Sequence, residues 1–318
     1  MNQEKFVMVG HTDLLGDMEN EVLNDEVKNK PCVAAEEAAE SWAKITWRRF
    51  CTNKVAVGSL FLFLGIILLA ILAPVIAPFD PNTTVGDFNA APTTKFLLGT
   101  DDVGRDLLSR LIYGSRVSLI VGVGSVLIYT IIGITLGLLS GYLGGTVDSV
   151  IMRITEVFMA YPYFMIIMVI VSLIGPNMLT VMLVMGLMGW PTICRLVRGE
   201  VLKVKSMDYI SSAIVTGYSS RTIIAKHILP NVLSPILVNA TFGIAAAILM
   251  EASLSFLGMG VQPPTASWGN MLTSAQSLTV LSEEPWRWLP PGIAILISVL
   301  TINFLGDGIN EALGGSSK

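Results

Sequence analysis

Six stretches of this chain run without an aspartate, glutamate, lysine or arginine for long enough to cross a hydrocarbon layer: residues 55–77, 117–140, 157–174, 178–194, 232–250 and 289–306. A bilayer core of about 30 Å takes about 17 to 25 helical residues to span. Lipid offers no water to a free amide, so each run must be a helix or part of a closed barrel. The runs are continuously apolar rather than alternating, which selects helices. Only 14% of the residues are charged and 53% are hydrophobic, against about 25% charged in a soluble domain. The expected fold class is an all-α integral membrane protein with six transmembrane helices. The polar segment 1–54 ahead of the first run excludes a cleavable signal peptide at this N-terminus.

Charge and composition exclude several function classes. A formal net charge of −4 is too small and of the wrong sign for a nucleic-acid partner. Three scattered cysteines, Cys32, Cys51 and Cys194, make no disulfide framework, and two histidines, His11 and His227, leave little for a metal site. Lysines and arginines gather on the cytoplasmic side of membrane proteins. An inside N-terminus leaves only Lys95, Arg105, Arg110, Arg116 and Arg287 outside, so both termini are expected in the cytoplasm and all three cysteines as free thiols.

The expected organisation is a disordered cytoplasmic tail over 1–40, a membrane-proximal segment and first span over 41–77, and an extracytoplasmic loop over 78–116. A core of spans 2 to 6 occupies 117–306, interrupted by a cytoplasmic loop at 195–231, and a cytoplasmic tail covers 307–318. Gly133, Gly137, Gly141 and Gly145 recur every fourth residue, the spacing that lets two membrane helices approach closely.

Four segments carry more information. In the 195–231 loop, Asp208 is placed to cap a short helix over 209–216 that Gly217 ends in a left-handed conformation. Ser219 or Ser220 is placed to cap a second helix over 221–228, with Pro230 leading into span 5. The first helix sets Tyr209, Ile210, Ala213 and Ile214 on one face, which suits either a helix resting on lipid headgroups or a docking helix for a cytoplasmic partner. After span 1, Thr100 or Asp101 is placed to cap an amphipathic helix on the outer interface, with Val103, Leu107, Leu108, Leu111 and Ile112 on one face and an Asp106–Arg110 pair. Arg153 and Glu156 have the spacing of an interfacial ion pair, and Pro162 should bend span 3. Past Glu251, Gly258, Gly260, Pro263 and Pro264 break helix 5, while Trp268, Trp286 and Trp288 suit a membrane interface.

The run from Asp208 to Gly217, with His227, Leu229 and Pro230, resembles the EAA loop of bacterial ABC-importer permeases. That motif reads Glu-Ala-Ala, three residues, Gly, nine residues, Ile-x-Leu-Pro. Ala213, Gly217, Leu229 and Pro230 match in register; Ser211 and Ser212 replace the glutamate and first alanine, and His227 takes the isoleucine place. The run Leu98-Gly99-Thr100-Asp101-Asp102-Val103-Gly104-Arg105-Asp106 is similar to the Leu-Gly-Thr-Asp-x-x-Gly-Arg-Asp segment of the C-type subunit of oligopeptide/dipeptide permeases. The segments from Arg153 to Pro162 and from Glu251 to Met271 resemble the same family.

The resemblance implies the ABC type I importer permease fold. It implies a transport subunit that is not itself an enzyme, importing dipeptides or oligopeptides, with nickel or glutathione as alternative cargo. It implies a heterodimer with a second permease, two cytoplasmic ATPases that hold the ATP and Mg²⁺, and an extracytoplasmic substrate-binding protein, in a bacterial or archaeal cytoplasmic membrane. Tyr209, Ile210, Ser211, Ser212, Ala213, Gly217, His227, Leu229 and Pro230 would couple to the ATPase. Asp101, Asp102, Arg105, Glu251 and Trp268 would lie by the outer gate and receptor. No catalytic, metal or cofactor residue is assigned to this chain. The sequence holds no G-x-x-x-x-G-K-[ST] loop, so ATP must be handled by a partner. An ion-coupled secondary transporter, the rival from another class, would need ionisable groups inside its spans, and the six cores have none.

Overall fold

A computed structural model describes residues 42–314. The tail expected to be disordered over 1–40, with His11 and Cys32, lies outside the described residues. The chain divides into two units, one ending at Arg49 and the other beginning at Phe50; α1 is Trp42–Thr52, and the architecture below is that of the unit from Phe50 onward.

Asn53 starts α2 (Lys54–Ile71) by accepting from the amides of Val55 and Ala56, and α3 (Ala73–Ile76) adds one turn. Then come α4 (Leu107–Leu143), α5 (Gly145–Met159), α6 (Tyr163–Ile174), α7 (Met178–Lys205), α8 (Asp208–Val215) and α9 (Ser220–Phe256). Two short helices, α10 (Trp268–Met271) and α11 (Leu278–Glu283), precede α12 (Pro285–Gly314). Helices α2, α4, α7, α9 and α12 are long and apolar enough to cross a membrane, and α5 with α6 makes a sixth crossing if the bent pair counts as one span.

The glycine repeat sets the central packing. A methyl group on Gly133 would lie 2.6 Å from Ile193 Cβ, one on Gly137 2.7 Å from Val197 Cβ, and one on Gly141 2.8 Å from Val201 Cβ. Both residue numbers rise together along this seam, so α4 and α7 run parallel at backbone-to-side-chain contact, the approach that bare glycines permit. Gly145 was expected to extend the repeat and does not: a methyl there would meet nothing within 4 Å, and its φ of +55° makes it part of the turn from α4 into α5. Helix α9 runs antiparallel to α4, with Gly122 against Ile248 and Gly243 against Tyr129. Helix α12 returns beside α2, where Ala56 meets Gly308 and Asn53 donates to Glu311 at 2.7 Å.

The helix limits differ from the hydropathy boundaries in instructive ways. The outer-interface helix expected to start at Thr100 or Asp101 does not form. Residues 97–106 are a loop, and Asp106 caps α4 by accepting from the Ser109 amide at 2.8 Å, so span 2 begins at Leu107. Asp106 is therefore committed to the helix cap and does not pair with Arg110, which reaches Asp101 instead. Span 3 is broken rather than bent: α5 and α6 meet at 80°, and Pro162, with no amide hydrogen to continue a ladder, is the N-cap of α6. Helix α7 continues through Arg195 and Arg198 to Lys205, so the cytoplasmic loop expected from 195 starts after Lys205. The segment 221–228 is continuous with span 5 through a π-helical turn, Ile224–Ile228. The C-terminal tail expected from 307 is helical to Gly314.

Candidate functional site

Helix α8 and the turn after it form the tip of the face at which α4 and α7 end. Asp208 is not its cap; it is the first helical residue, with Met207 before it, where a negative side chain still favours the helix N-terminus. Ile210 and Ala213, expected on an outward stripe, are buried. Ile210 joins a cluster with Val201, Val204, Ile223, Ile228 and Val232, so α8 is clamped between the end of α7 and the start of α9. What α8 offers outward is Tyr209, Ser211, Ser212, Ile214 and Val215, the last 88% exposed.

The helix ends as its glycine requires. Tyr218 N–H donates to Ala213 O at 3.2 Å and Gly217 N–H to Ile214 O at 3.0 Å, with Gly217 at φ +86°. This is a Schellman closure, in which the residue at Gly217 must be left-handed. Ser219 then caps α9 by accepting from the Thr222 amide at 3.3 Å. The His227 ring sits 6.4 Å from that of Tyr209 and 6.2 Å from that of Tyr218. Asn231 holds the corner by donating to His227 O at 2.6 Å and to the Tyr209 hydroxyl at 3.3 Å. Leu229 N–H reaches back to Ile224 O, and the widened turn accommodates Pro230, which has no N–H of its own.

Two braces that hydropathy reasoning missed stiffen this face. Arg198 holds Asp148, which also accepts from the Ser140 hydroxyl, and Lys205 donates to Tyr142 O at 2.7 Å. The expected pair of Arg153 and Glu156 forms at 2.9 Å on the surface. The sequence carries only one hint of the first brace, an acid placed just after Gly144 and Gly145.

Between this tip and the far face lies a cavity of about 400 Å³. It opens where span 3 is broken, with Phe158, Tyr161 and Tyr163 from the break, Tyr129 from α4, Met185, Met188 and Pro191 from α7, and Asn239, Gly243 and Met250 from α9. Tyr163 is fixed by donating to Met185 O at 3.0 Å. The lining is apolar and aromatic with few polar groups, the usual chemistry of a small-molecule pocket.

On the face opposite α8, Glu251 and Trp268, the residues expected beside the outer gate and receptor, are buried. Glu251 is wholly buried and accepts from the hydroxyls of Ser118 at 3.1 Å, Ser255 at 2.7 Å and Ser267 at 2.9 Å. Trp268 is buried too; its ring N–H donates to Leu111 O at 3.1 Å and its amide to Ser118 Oγ at 3.2 Å. Together they staple the segment after α9 onto α4, and the serines that complete the knot gave no signal of their own in the sequence. Asp101 is also buried, accepting from Arg105 Nε at 2.7 Å, whereas Asp102 is exposed.

These features define a polytopic α-helical membrane component with a clamped surface helix on one face and an apolar cavity within the bundle. Residues 133–316 match the family model described as the inner membrane component of binding-protein-dependent transport systems. Residues 41–92 match the N-terminal transmembrane domain of oligopeptide transport permease C. The chain is 40% identical over 281 residues to the di/tripeptide transport system permease protein DppC of Pseudomonas aeruginosa, covering 86% of this chain and 91% of that one. It is 37% identical to the dipeptide transport system permease protein DppC of Bacillus subtilis, over 92% and 91% of the two chains. It is 39% identical to the glutathione transport system permease protein GsiD of Pectobacterium atrosepticum, over 91% and 95%. The chain belongs to the family of binding-protein-dependent transport system inner membrane components.

Proposed function

We propose that this chain is a permease subunit of an ABC importer for peptides. The observation that carries the reading is the clamping of α8. Its buried residues Ile210 and Ala213 tie it to α7 and α9, and those two helices supply Pro191, Met185, Gly243 and Met250 to the cavity. A push on the exposed Tyr209, Ser212 and Val215 face is thus transmitted to the cavity wall. That face, with Gly217, His227, Leu229 and Pro230 holding its shape, is the docking element for a cytoplasmic ATPase. Ile210 and Ala213 serve as its inward anchor rather than as contacts.

The cargo path runs through the broken-span cavity and is completed by a second permease, which covers the exposed flank of α6 at Met165, Val169 and Leu173. Both termini lie in the cytoplasm with α8, and the opposite face meets an extracytoplasmic binding protein. Nucleotide-driven movement of two partner ATPases, which hold ATP and Mg²⁺, shifts the balance between outward-open and inward-open arrangements. Relatives named for dipeptides, di- and tripeptides and glutathione support small peptides as the cargo class.

The test is purification of the tagged chain from its host in mild detergent, mass spectrometry of what accompanies it, and reconstitution. Recovery of a second permease and ATPases, with labelled dipeptide uptake that requires ATP, is the expected result. Uptake by the chain alone driven by an ion gradient would overturn the reading in favour of a secondary transporter.

A further inference from the structure

We propose that the pocket of about 510 Å³ on the face opposite α8 is a carboxylate-binding site. Its wall includes Asp101, Asp102, Arg105, Arg110, Asn270 and Arg287. Arg110 and Arg287 are only 4% and 6% exposed, and a guanidinium taken this far from water needs its donors met.

Those donors are incompletely met. Arg287 donates from Nη1 to Asn89 Oδ1 at 2.9 Å and to Glu284 Oε2 at 2.7 Å. Its Nη2 comes no nearer than 3.8 Å to Asp102, whose side chain is 67% exposed, and its Nε has no hydrogen-bond partner. Arg110 spends Nη1 on Pro81 O and Pro264 O, and its Nε stands 3.5 Å from Asp101. Asp101 is largely committed elsewhere. One oxygen takes the amides of Val103 and Arg105 and the other takes Arg105 Nε.

Three guanidiniums thus face Asp101, Asp102 and Glu284, but Asp102 stands in water 3.8 Å away, and the Nε/Nη2 edge of Arg287 makes no hydrogen bond. The complement of that edge is a planar anion that accepts two parallel N–H bonds, which is a carboxylate. Two sources present that group on this face: the C-terminus of a peptide, or an acidic side chain of an extracytoplasmic protein partner. The choice of sources rests on the import reading above; the binding itself does not.

The experiment uses the full chain, with whatever subunits accompany it, in lipid nanodiscs, and measures equilibrium binding by calorimetry at fixed ionic strength. The probes are N-acetyl-trialanine and its C-terminal amide, then N-acetyl-glutamate amide and its glutamine analogue. Each acid is expected to bind at least tenfold tighter than its amide, and Arg287→Gln to weaken the acid at least tenfold. Preference for acetyl-trialanine identifies the peptide terminus as the source, and preference for acetyl-glutamate amide identifies a partner's side chain. Because Arg287 also holds Glu284, Ser277→Glu is the second variant: a carboxylate built onto the pocket wall is expected to displace the acid probes. Equal affinity for acid and amide, or acid binding untouched by both variants, overturns the site. Uptake is measured separately, so loss of the import reading with binding intact, or the reverse, is seen directly.

Discussion

Arg198 of α7 holds Asp148 of α5 in a two-pronged grip, Nε to Oδ1 at 2.6 Å and Nη2 to Oδ2 at 2.7 Å. The same carboxylate takes the Ser140 hydroxyl near the end of α4, so three helices meet at one acid. The pair is partly open to solvent, 32% and 21% exposed, which limits its strength. A double-mutant cycle of Arg198→Gln and Asp148→Asn, read by thermal denaturation in detergent, should give a coupling of about 1 kcal/mol. Arg198→Lys should not recover it, because an ammonium cannot reproduce the planar fork. Recovery by lysine would mean that only the charge matters.

The seam of α4 and α7 makes a steric prediction. Gly137→Val would force a branched side chain into Val197 and the Cys194 carbonyl, and should leave little folded protein in the membrane fraction. Gly137→Ala should destabilise by about 1 to 3 kcal/mol, with partial recovery when Val197→Ala is added. Gly145→Ala, at the turn after α4, meets no neighbour and should cost only its left-handed backbone, about 1 to 2 kcal/mol. Equal losses at the two positions would contradict the packing.

The contrast between Gly137 and Gly145 shows what a sequence of this kind discloses. Apolar runs locate every crossing, because a charge-free stretch of membrane length has few other uses. They do not locate helix ends. Arg198 and Lys205 look like loop residues by charge, yet they lie within α7, where each finds a partner on another element. Pro162 signalled a bend, but the full break also needed the turn at Ala160 and Tyr161, which carries no strong marker. In α8 the apolar spacing was read as an outward stripe; Ile210 and Ala213 went inward because the ends of α7 and α9 offered valines and isoleucines to meet them. The burial of Glu251 was not legible because the serines that surround it are spread over three segments.

That serine knot is testable by itself. Glu251→Ala would leave the Ser118, Ser255 and Ser267 hydroxyls without their shared acceptor inside the protein, a loss of about 2 to 4 kcal/mol in all. Glu251→Gln keeps one acceptor oxygen and should cost less than half of that. Limited proteolysis of the 257–284 segment is the readout: faster cleavage is expected for alanine than for glutamine, and identical cleavage of wild type and Glu251→Ala would remove the stapling role.

The turn after α8 gives the most direct test of coupling. Gly217 has open space around it, so a side chain there meets no obstacle, but its φ of +86° is costly for any residue with a Cβ. Valine is penalised most, by about 1 to 2 kcal/mol or more, whereas asparagine visits the left-handed region with less strain. Gly217→Val should unravel the closure at Ala213 and Ile214, tilt the exposed Tyr209 and Val215 face, and reduce ATP-driven uptake at least tenfold at equal membrane levels. Gly217→Asn should keep most of the uptake, and neither change should alter the thermal stability of the bundle beyond the local strain. Unchanged uptake by Gly217→Val would separate α8 from energy coupling and leave its clamping by Ile210 and Ala213 as a purely structural device.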